Sequence, residues 1–208
     1  MKTIKNILPV GLILGVLLFN SCTNKKVPDC CKNKMKDTTS SKTESTSDLS
    51  IYQLNGTWET QNNQQINLTA LKGKIQVLTM FFSNCTYACP RIVNNLKNIE
   101  KEIPANLIPQ VGFTLVSFDT KRDTVARLKA FAKEMKLDGN WTLLHGDENE
   151  VRELSMLLNV DYQKQSDGNF AHASVINVLD KDGKIIFRHE GLDSDSTEVV
   201  QKIISALK

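Results

Sequence analysis

The stretch that decides the fold is residues 75–90, IQVLTMFFSNCTYACP. Its first eight residues are almost continuously apolar, which is typical of a strand buried on both faces of a sheet. Two cysteines follow in the spacing Cys-x-x-x-Cys-Pro, at Cys85, Cys89 and Pro90. Proline is favoured in the first turn of a helix, where a backbone N–H would have no intrahelical partner. The stretch therefore predicts a buried strand, a loop that carries Cys85, and a helix that begins near Cys89.

Strands and helices alternate outward from this stretch. Residues 49–54 and 57–68 are predicted as short strands around polar turns. Apolar spacing predicts helices near residues 92–103, 125–135, 151–158 and 199–207. Apolar runs predict strands at residues 111–118, 141–144, 174–179 and 184–189. This order predicts an α/β protein over residues 48–208, a thioredoxin-like sandwich with extra N-terminal strands and a central insertion.

The N-terminal segment has the composition of a targeting signal. A positive start is followed by the almost wholly apolar residues 7–19. This run is shorter than the roughly 20 residues that a membrane-spanning helix needs, and it fits a secretory signal. It ends at the sequence FNSC, which resembles a bacterial lipobox. We expect residues 1–21 to be a lipoprotein signal peptide and Cys22 to carry the lipid. A signal peptide with an incidental cysteine, or a short uncleaved anchor, are the alternatives.

Residues 22–47 are rich in Lys, Asn, Asp, Ser and Thr. Because such a segment has almost nothing to bury, it is predicted as a disordered, lipid-anchored tether of roughly 25–30 Å. Within it, Cys30 and Cys31 are either an incidental pair or a site for soft metals or thiol exchange. Each interpretation of the N-terminal segment places the domain in the bacterial cell envelope, on the periplasmic or extracytoplasmic side. The net charge of +3 gives no reason to expect a nucleic-acid partner.

The two cysteines of the decisive stretch lie where thiols become reactive. The positive end of a helix dipole and its unpaired N–H groups favour thiolate over thiol, so a low pKa is expected for both Cys85 and Cys89. Such a pair can close a disulfide or chelate a soft ion such as Cu(I). A static disulfide is disfavoured, since a bridge enclosing three residues constrains little chain entropy.

Three pieces of sequence together resemble the Sco/SenC family, which comprises copper-binding assembly factors for cytochrome c oxidase. They are the Cys-x-x-x-Cys-Pro motif, residues 116–119 (VSFD) with residues 123–124 (DT), and residues 170–172 (FAH) before a strand. The resemblance covers about residues 50–208. It implies that Cys85, Cys89 and His172 bind copper, as Cu(I) or Cu(II). It also implies that the partner is the copper-site subunit of a respiratory oxidase or another copper carrier.

Sheet geometry independently favours bringing His172 to the cysteines. In thioredoxin-like sheets the strand after residue 173 runs antiparallel to the strand before Cys85, so that its start lies at the same edge. Asp119 ends the second strand and should border this edge too. In the family a carboxylate at this place lies near the site and contacts partners, and a loop-capping role is an equal alternative.

Two positions depart from the family pattern. Thr120 replaces a proline, and Ala173 replaces a hydroxyl residue. Thr120 and Asp123 are spaced as a capping box at a helix start.

Three other functions compete with copper binding. A membrane-anchored thiol-disulfide oxidoreductase would normally carry Cys-x-x-Cys and a cis-proline before the hairpin. The five prolines are at positions 9, 28, 90, 104 and 109, so none stands there. For a peroxiredoxin-like peroxidase, the usual setting of threonine and arginine is not evident in this sequence. A zinc module remains open, since two cysteines and a histidine also suit zinc. Copper binding for assembly of a respiratory oxidase is the prediction, with thiol redox activity at Cys85 and Cys89 as the alternative.

Overall fold

The computed structural model describes residues 49–192 and 196–208 of the chain. Its strands are β1 (Trp58–Thr60), β2 (Gln65–Ile66), β3 (Ile75–Phe81), β4 (Val111–Ser117), β5 (Trp141–His145), β6 (Tyr162–Lys164), β7 (Phe170–His172), β8 (Val175–Leu179) and β9 (Ile185–Glu190). Its helices are α1 (Ala88–Glu102), α2 (Val125–Glu134), α3 (Glu148–Leu157) and α4 (Ser196–Ala206). Seven strands form one mixed sheet in the order β2-β1-β5-β4-β3-β8-β9, and β6 pairs with β7 in a separate two-stranded ribbon. The predicted α/β class is confirmed.

The centre of the sheet is the parallel pair β3 and β4, in which every residue is buried. Burial on both faces explains why both strands are almost continuously apolar. Two of the four polar side chains in these strands satisfy each other, because the Thr114 hydroxyl donates to Gln76 Oε1 over 3.0 Å. This buried pair links the two strands in one register.

Helices α1, α2 and α4 cover one face of the sheet. Helix α1 packs against α4, and Lys97 of α1 donates through Nζ to the carbonyl of Met135, which caps α2. The indole of Trp141 donates to Glu100 of α1 over 2.9 Å. On the other face, Arg188 of β9 donates to the carbonyls of Leu158 and Asn159 at the end of α3.

Strand β8 is antiparallel to β3, with Gln76 opposite Leu179 and Leu78 opposite Asn177. The chain therefore enters β8 at the edge of the sheet where β3 ends. The predicted strand direction after residue 173 is confirmed, and it positions the site described below.

Residues 57–68 contain two short strands, β1 and β2, around a polar turn, in agreement with the prediction. Two other local predictions were wrong. Residues 49–54 contain a 3₁₀ helix, Ile51–Gln53, because the Ser50 hydroxyl accepts the N–H of Tyr52 and starts a turn. The polar segment 161–172, for which no strand was predicted, forms the β6–β7 ribbon.

The predicted capping box at the start of α2 was also wrong. The N-cap is Thr124, whose hydroxyl accepts the N–H of Arg127 over 3.3 Å. Asp123 is fully buried and bonds to residues outside the helix. The capping box does not form because the Asp123 carboxylate accepts hydrogen bonds from Ser83, in the loop after β3, and from Ser117 of β4.

The predicted signal peptide, the lipidation site Cys22 and the tether with Cys30 and Cys31 lie outside the described residues. Among the helices that the structure describes, none has the length and apolar character needed to cross a bilayer.

Candidate metal centre

Cys85, Cys89 and His172 meet at the edge of the sheet where β3 ends. One ligand atom from each residue lies within 4.8 Å of the other two. Cys85 lies in the loop after β3 and is half-buried, whereas Cys89 is buried in the first turn of α1. His172 ends β7. The structure thus brings together the three residues that the sequence proposed as ligands.

The two thiols have opposite pKa shifts. Hydrogen bonds from the Cys89 side chain and from the backbone N–H groups of residues 87–89 lower the pKa of Cys85 from 9.0 to about 5. The N–H of Cys89 lies 3.3 Å from Cys85 Sγ. The hydrogen bond to Cys85, followed by burial, raises the pKa of Cys89 above its ordinary value. The expectation of two low-pKa thiolates is therefore corrected, since the metal-free pair holds one thiolate and one thiol that donates to it.

A hydrogen bond distinguishes the two ring nitrogens of His172. Its Nδ1 atom lies 3.0 Å from the carbonyl oxygen of Ala173. A carbonyl can only accept, so in the neutral ring Nδ1 carries the proton and Nε2 is the nitrogen with a lone pair for a metal. Such an outer hydrogen bond is typical of metal-binding histidines.

Aromatic rings surround the imidazole on the side away from solvent. The ring of Phe118 lies 4.9 Å from that of His172, and the ring of Phe82 meets it edge-on at 6.0 Å. Phe170 lies 5.3 Å from Phe82 and 5.0 Å from Phe118, and Tyr162 stacks on Phe118. This aromatic cluster fixes the imidazole by packing and keeps water from one side of the site.

A buried polar network holds the loop that carries Cys85. Asp123 accepts the N–H of Ser83 over 2.8 Å, the hydroxyl of Ser83, and the hydroxyl of Ser117 over 2.6 Å. Arg127 donates to the hydroxyl and the carbonyl of Ser83. Because Ser83 comes two residues before Cys85, these bonds fix the start of the cysteine loop.

Asp119 lies at the predicted edge, but its carboxylate is engaged elsewhere. It is 1 % exposed, and it accepts hydrogen bonds from the backbone N–H and the Nε of Arg122. It is not part of the cysteine–histidine group. This geometry supports the loop-capping alternative. His145 and His189 likewise lie outside the group, at the end of β5 and within β9.

The donor set can be tested against the chemistry of metals. Atoms bound to one ion at about 2.0–2.3 Å lie at most about 4.6 Å apart, so three atoms within 4.8 Å need only a small adjustment. Thiolate prefers Cu(I), and imidazole suits copper or zinc. The residues present therefore fit a copper ion, with zinc as the competing ion.

Sequence reasoning missed the residues that support the ligands. Arg122 was not considered, and Asp123 was assigned to a helix cap. The aromatic cluster left a partial signal, since its phenylalanines at positions 82, 118 and 170 all lie within the stretches of sequence quoted above. Their contacts with His172 are tertiary, and no local pattern predicts them.

Comparisons with known proteins agree with this architecture. A Bacillus subtilis SCO1 homologue is 26 % identical over 142 residues, which cover 66 % of this chain and 73 % of the relative. The structure of a SCO1/SenC family lipoprotein from Bacillus anthracis superposes with a TM-score of 0.68 at 23 % identity, covering 73 % of this chain and 92 % of that one. The copper-bound Sco protein of Bradyrhizobium japonicum gives a TM-score of 0.62 at 21 % identity, covering 73 % and 96 %. The thioredoxin-like fold is thereby confirmed.

A further structural neighbour is a Sco protein that has a disulfide switch and belongs to a family of cytochrome c oxidase assembly proteins.

A family model matches the same part of the chain. The SCO1/SenC model matches residues 52–208, which include the whole sheet and all three candidate ligands. The chain therefore belongs to the SCO1/SenC family.

Proposed function

We propose that this chain binds one copper ion through Cys85, Cys89 and Nε2 of His172 and supplies it for assembly of the copper site of cytochrome c oxidase. The observation that carries the proposal is the convergence of the three ligand atoms within 4.8 Å. Membership of the SCO1/SenC family and the copper-bound relative support it. The recipient is the copper-site subunit of a respiratory oxidase, or another copper carrier.

Both oxidation states of copper suit the donor set. Two sulfur ligands favour Cu(I), and the imidazole adds a ligand that Cu(II) accepts readily. The aromatic cluster fixes the imidazole, and the Asp123 network fixes the cysteine loop. The chain's own contribution is therefore a preformed arrangement of ligands on one edge of the sheet.

The lipid anchor completes the proposal. Cleavage after residue 21 and acylation of Cys22 attach the chain to a membrane, with residues 22–47 as the tether. The domain then faces the periplasm or the extracytoplasmic side of the bacterial envelope. The lipoprotein from Bacillus anthracis supports this arrangement.

Copper binding by the full chain, purified in detergent under controlled redox conditions, tests the proposal. We expect one copper per chain, with a sulfur-to-copper charge-transfer band for Cu(II). The double variant Cys85→Ser, Cys89→Ser should lose both. The matched control is the double variant Cys30→Ser, Cys31→Ser, which removes two thiols outside the site and should retain the stoichiometry. Full copper occupancy in the Cys85, Cys89 double variant would contradict the proposal.

A membrane-anchored thiol-disulfide oxidoreductase is the second candidate. The lowered pKa of Cys85 and the raised pKa of Cys89 favour it. A thiolate at Cys85 can attack a disulfide sulfur, and the thiol of Cys89 can then lose its proton and resolve the mixed disulfide. The substrate leaves with two thiols, and the chain keeps a Cys85–Cys89 disulfide. Reduction of the recipient's copper-site cysteines, without copper binding, would favour this candidate.

A further inference from the structure

The ribbon that carries His172 is separate from the main sheet. Among residues 49–192 and 196–208, strands β6 and β7 pair only with each other, from Tyr162 opposite His172 to Lys164 opposite Phe170. A two-stranded ribbon is at best marginally stable on its own. Contacts with the rest of the domain must therefore hold His172 opposite the cysteines.

One of these contacts is made by a single side chain, Arg122. Its Nε pairs with the carboxylate of Asp119, just beyond β4. Its Nη2 donates to the carbonyl of Gly168, in the turn of the ribbon. Its guanidinium carbon lies 5.9 Å from the ring centroid of Phe170. Arg122 thus joins the loop after β4 to both the turn and the second strand of the ribbon.

Phe170 connects Arg122 to the imidazole of His172. Phe170 precedes His172 by two residues on β7, so the two side chains share a face of the ribbon. Both pack against Phe82 and Phe118. A force that holds Phe170 and the turn at Gly168 therefore also holds His172 against the aromatic cluster.

We propose that Arg122 is a positioning residue for the metal ligand His172. It keeps the ribbon closed on the domain, so that the imidazole faces Cys85 and Cys89. This inference rests on the proposed copper site. Arginine suits the task because its planar fork can pair with a carboxylate and a carbonyl at the same time, whereas lysine presents a single charged nitrogen.

Copper titration of the full chain in detergent, in a Cys30→Ser, Cys31→Ser background, tests the inference. Loss of a residue that orients a metal ligand typically lowers metal affinity by about 10- to 100-fold. We expect Arg122→Ala to lower Cu(II) affinity by this factor and to reduce the electron paramagnetic resonance coupling from imidazole nitrogen. Cu(I) affinity should change much less, because the two sulfurs dominate its binding. Arg122→Lys should restore part of the Cu(II) affinity.

Two controls separate positioning from a general loss of structure. Lys121→Ala removes a positive charge from the same loop, where Lys121 is exposed, and should leave copper binding unchanged. In a His172→Ala background, Arg122→Ala should cause no further loss of Cu(II) affinity, since the ligand that it positions is already absent. Equal losses in the two backgrounds, or unchanged Cu(II) affinity in Arg122→Ala alone, would overturn the inference.

Hydrogen exchange gives a readout that does not depend on copper. In the metal-free chain, Arg122→Ala should speed exchange of the backbone amides of the ribbon, with the amides of β3 and β4 unaffected. Ribbon amides that stay equally protected would overturn the positioning role. If the parent chain bound no copper at Cys85 and Cys89, the proposed function would fail and, with it, the role of Arg122 toward copper. Faster ribbon exchange would then show that Arg122 closes the ribbon for another purpose.

Discussion

The backbone N–H of Cys89 donates to Sγ of Cys85 over 3.3 Å, at the point where α1 begins. The helix start thus faces one thiol of the pair, while the other thiol is buried inside its first turn. The hydrogen bond between the two side chains, together with these backbone donors, lowers the pKa of Cys85, and the same side-chain bond and burial raise the pKa of Cys89.

The first prediction is the pH dependence of this pair. The pKa of Cys85 is lowered to about 5, so its thiolate predominates above pH 5 and is lost as the pH falls through that value. Alkylation of metal-free Cys85, followed by site-resolved mass spectrometry, should be half-maximal near pH 5. Cys89 should react slowly at neutral pH, because its pKa is raised. In Cys89→Ala the midpoint for Cys85 should move upward. A midpoint near 9 in the parent chain would contradict the assignment.

The second prediction distinguishes the three ligands. Cys85→Ser and Cys89→Ser should each abolish stable copper binding, because each removes a sulfur that copper prefers. His172→Ala should weaken Cu(II) binding more than Cu(I) binding, since two thiolates still hold Cu(I). Competition titrations in each oxidation state measure this difference. Zinc should compete poorly for the chain loaded with Cu(I), and ready displacement by zinc would favour the zinc module.

The third prediction concerns stability. Asp123→Asn turns an amide toward the donors of Ser83 and Ser117, so at least one buried hydrogen bond is lost. Bonds to a charged group contribute about 1.5–3 kcal/mol, and the free energy of unfolding should fall by a similar amount. Denaturant unfolding of the full chain measures it. Asp161→Asn, at an exposed position, is the matched control and should change stability little. Equal stability of both variants would show that the Asp123 network contributes nothing.

The fourth prediction concerns the anchor. Cys22→Ser should block acylation, because serine lacks the sulfur atom to which the lipid would be attached. Labelling of cells with a fatty acid, followed by isolation of the chain, measures this directly. Label that persists in the variant would rule out Cys22 as the lipidated residue.

The fifth prediction concerns general reductase activity. Three residues lie between Cys85 and Cys89, where a general reductase would have two, and no proline precedes β8 to face them. Turnover of an unrelated disulfide substrate should therefore be weak. Turnover comparable to that of a thioredoxin, and lost in Cys85→Ser, would make the oxidoreductase the better interpretation.

The sequence predicted the ligands better than their surroundings, and the reason is physical. The direction of β8 relative to β3 suffices to bring residue 172 to Cys85 and Cys89, and both strands have clear apolar patterns. The partner of Arg122 lies 46 residues away in a polar ribbon that has no such pattern. Ser50 is a local case. Its hydroxyl accepts the N–H of Tyr52, and a turn forms where a strand was predicted.

The sheet order also bears on how copies of this chain behave when crowded. Its two outermost strands are β2, which has only two residues, and β9. On β9, Arg188 pairs with Glu190 and is fastened to the end of α3, and a bulge interrupts its pairing with β8. Short, charged or irregular borders resist strand addition by a second molecule. In the part of the chain that the structure describes, the two borders of the main sheet therefore offer no ready template for amyloid-like growth.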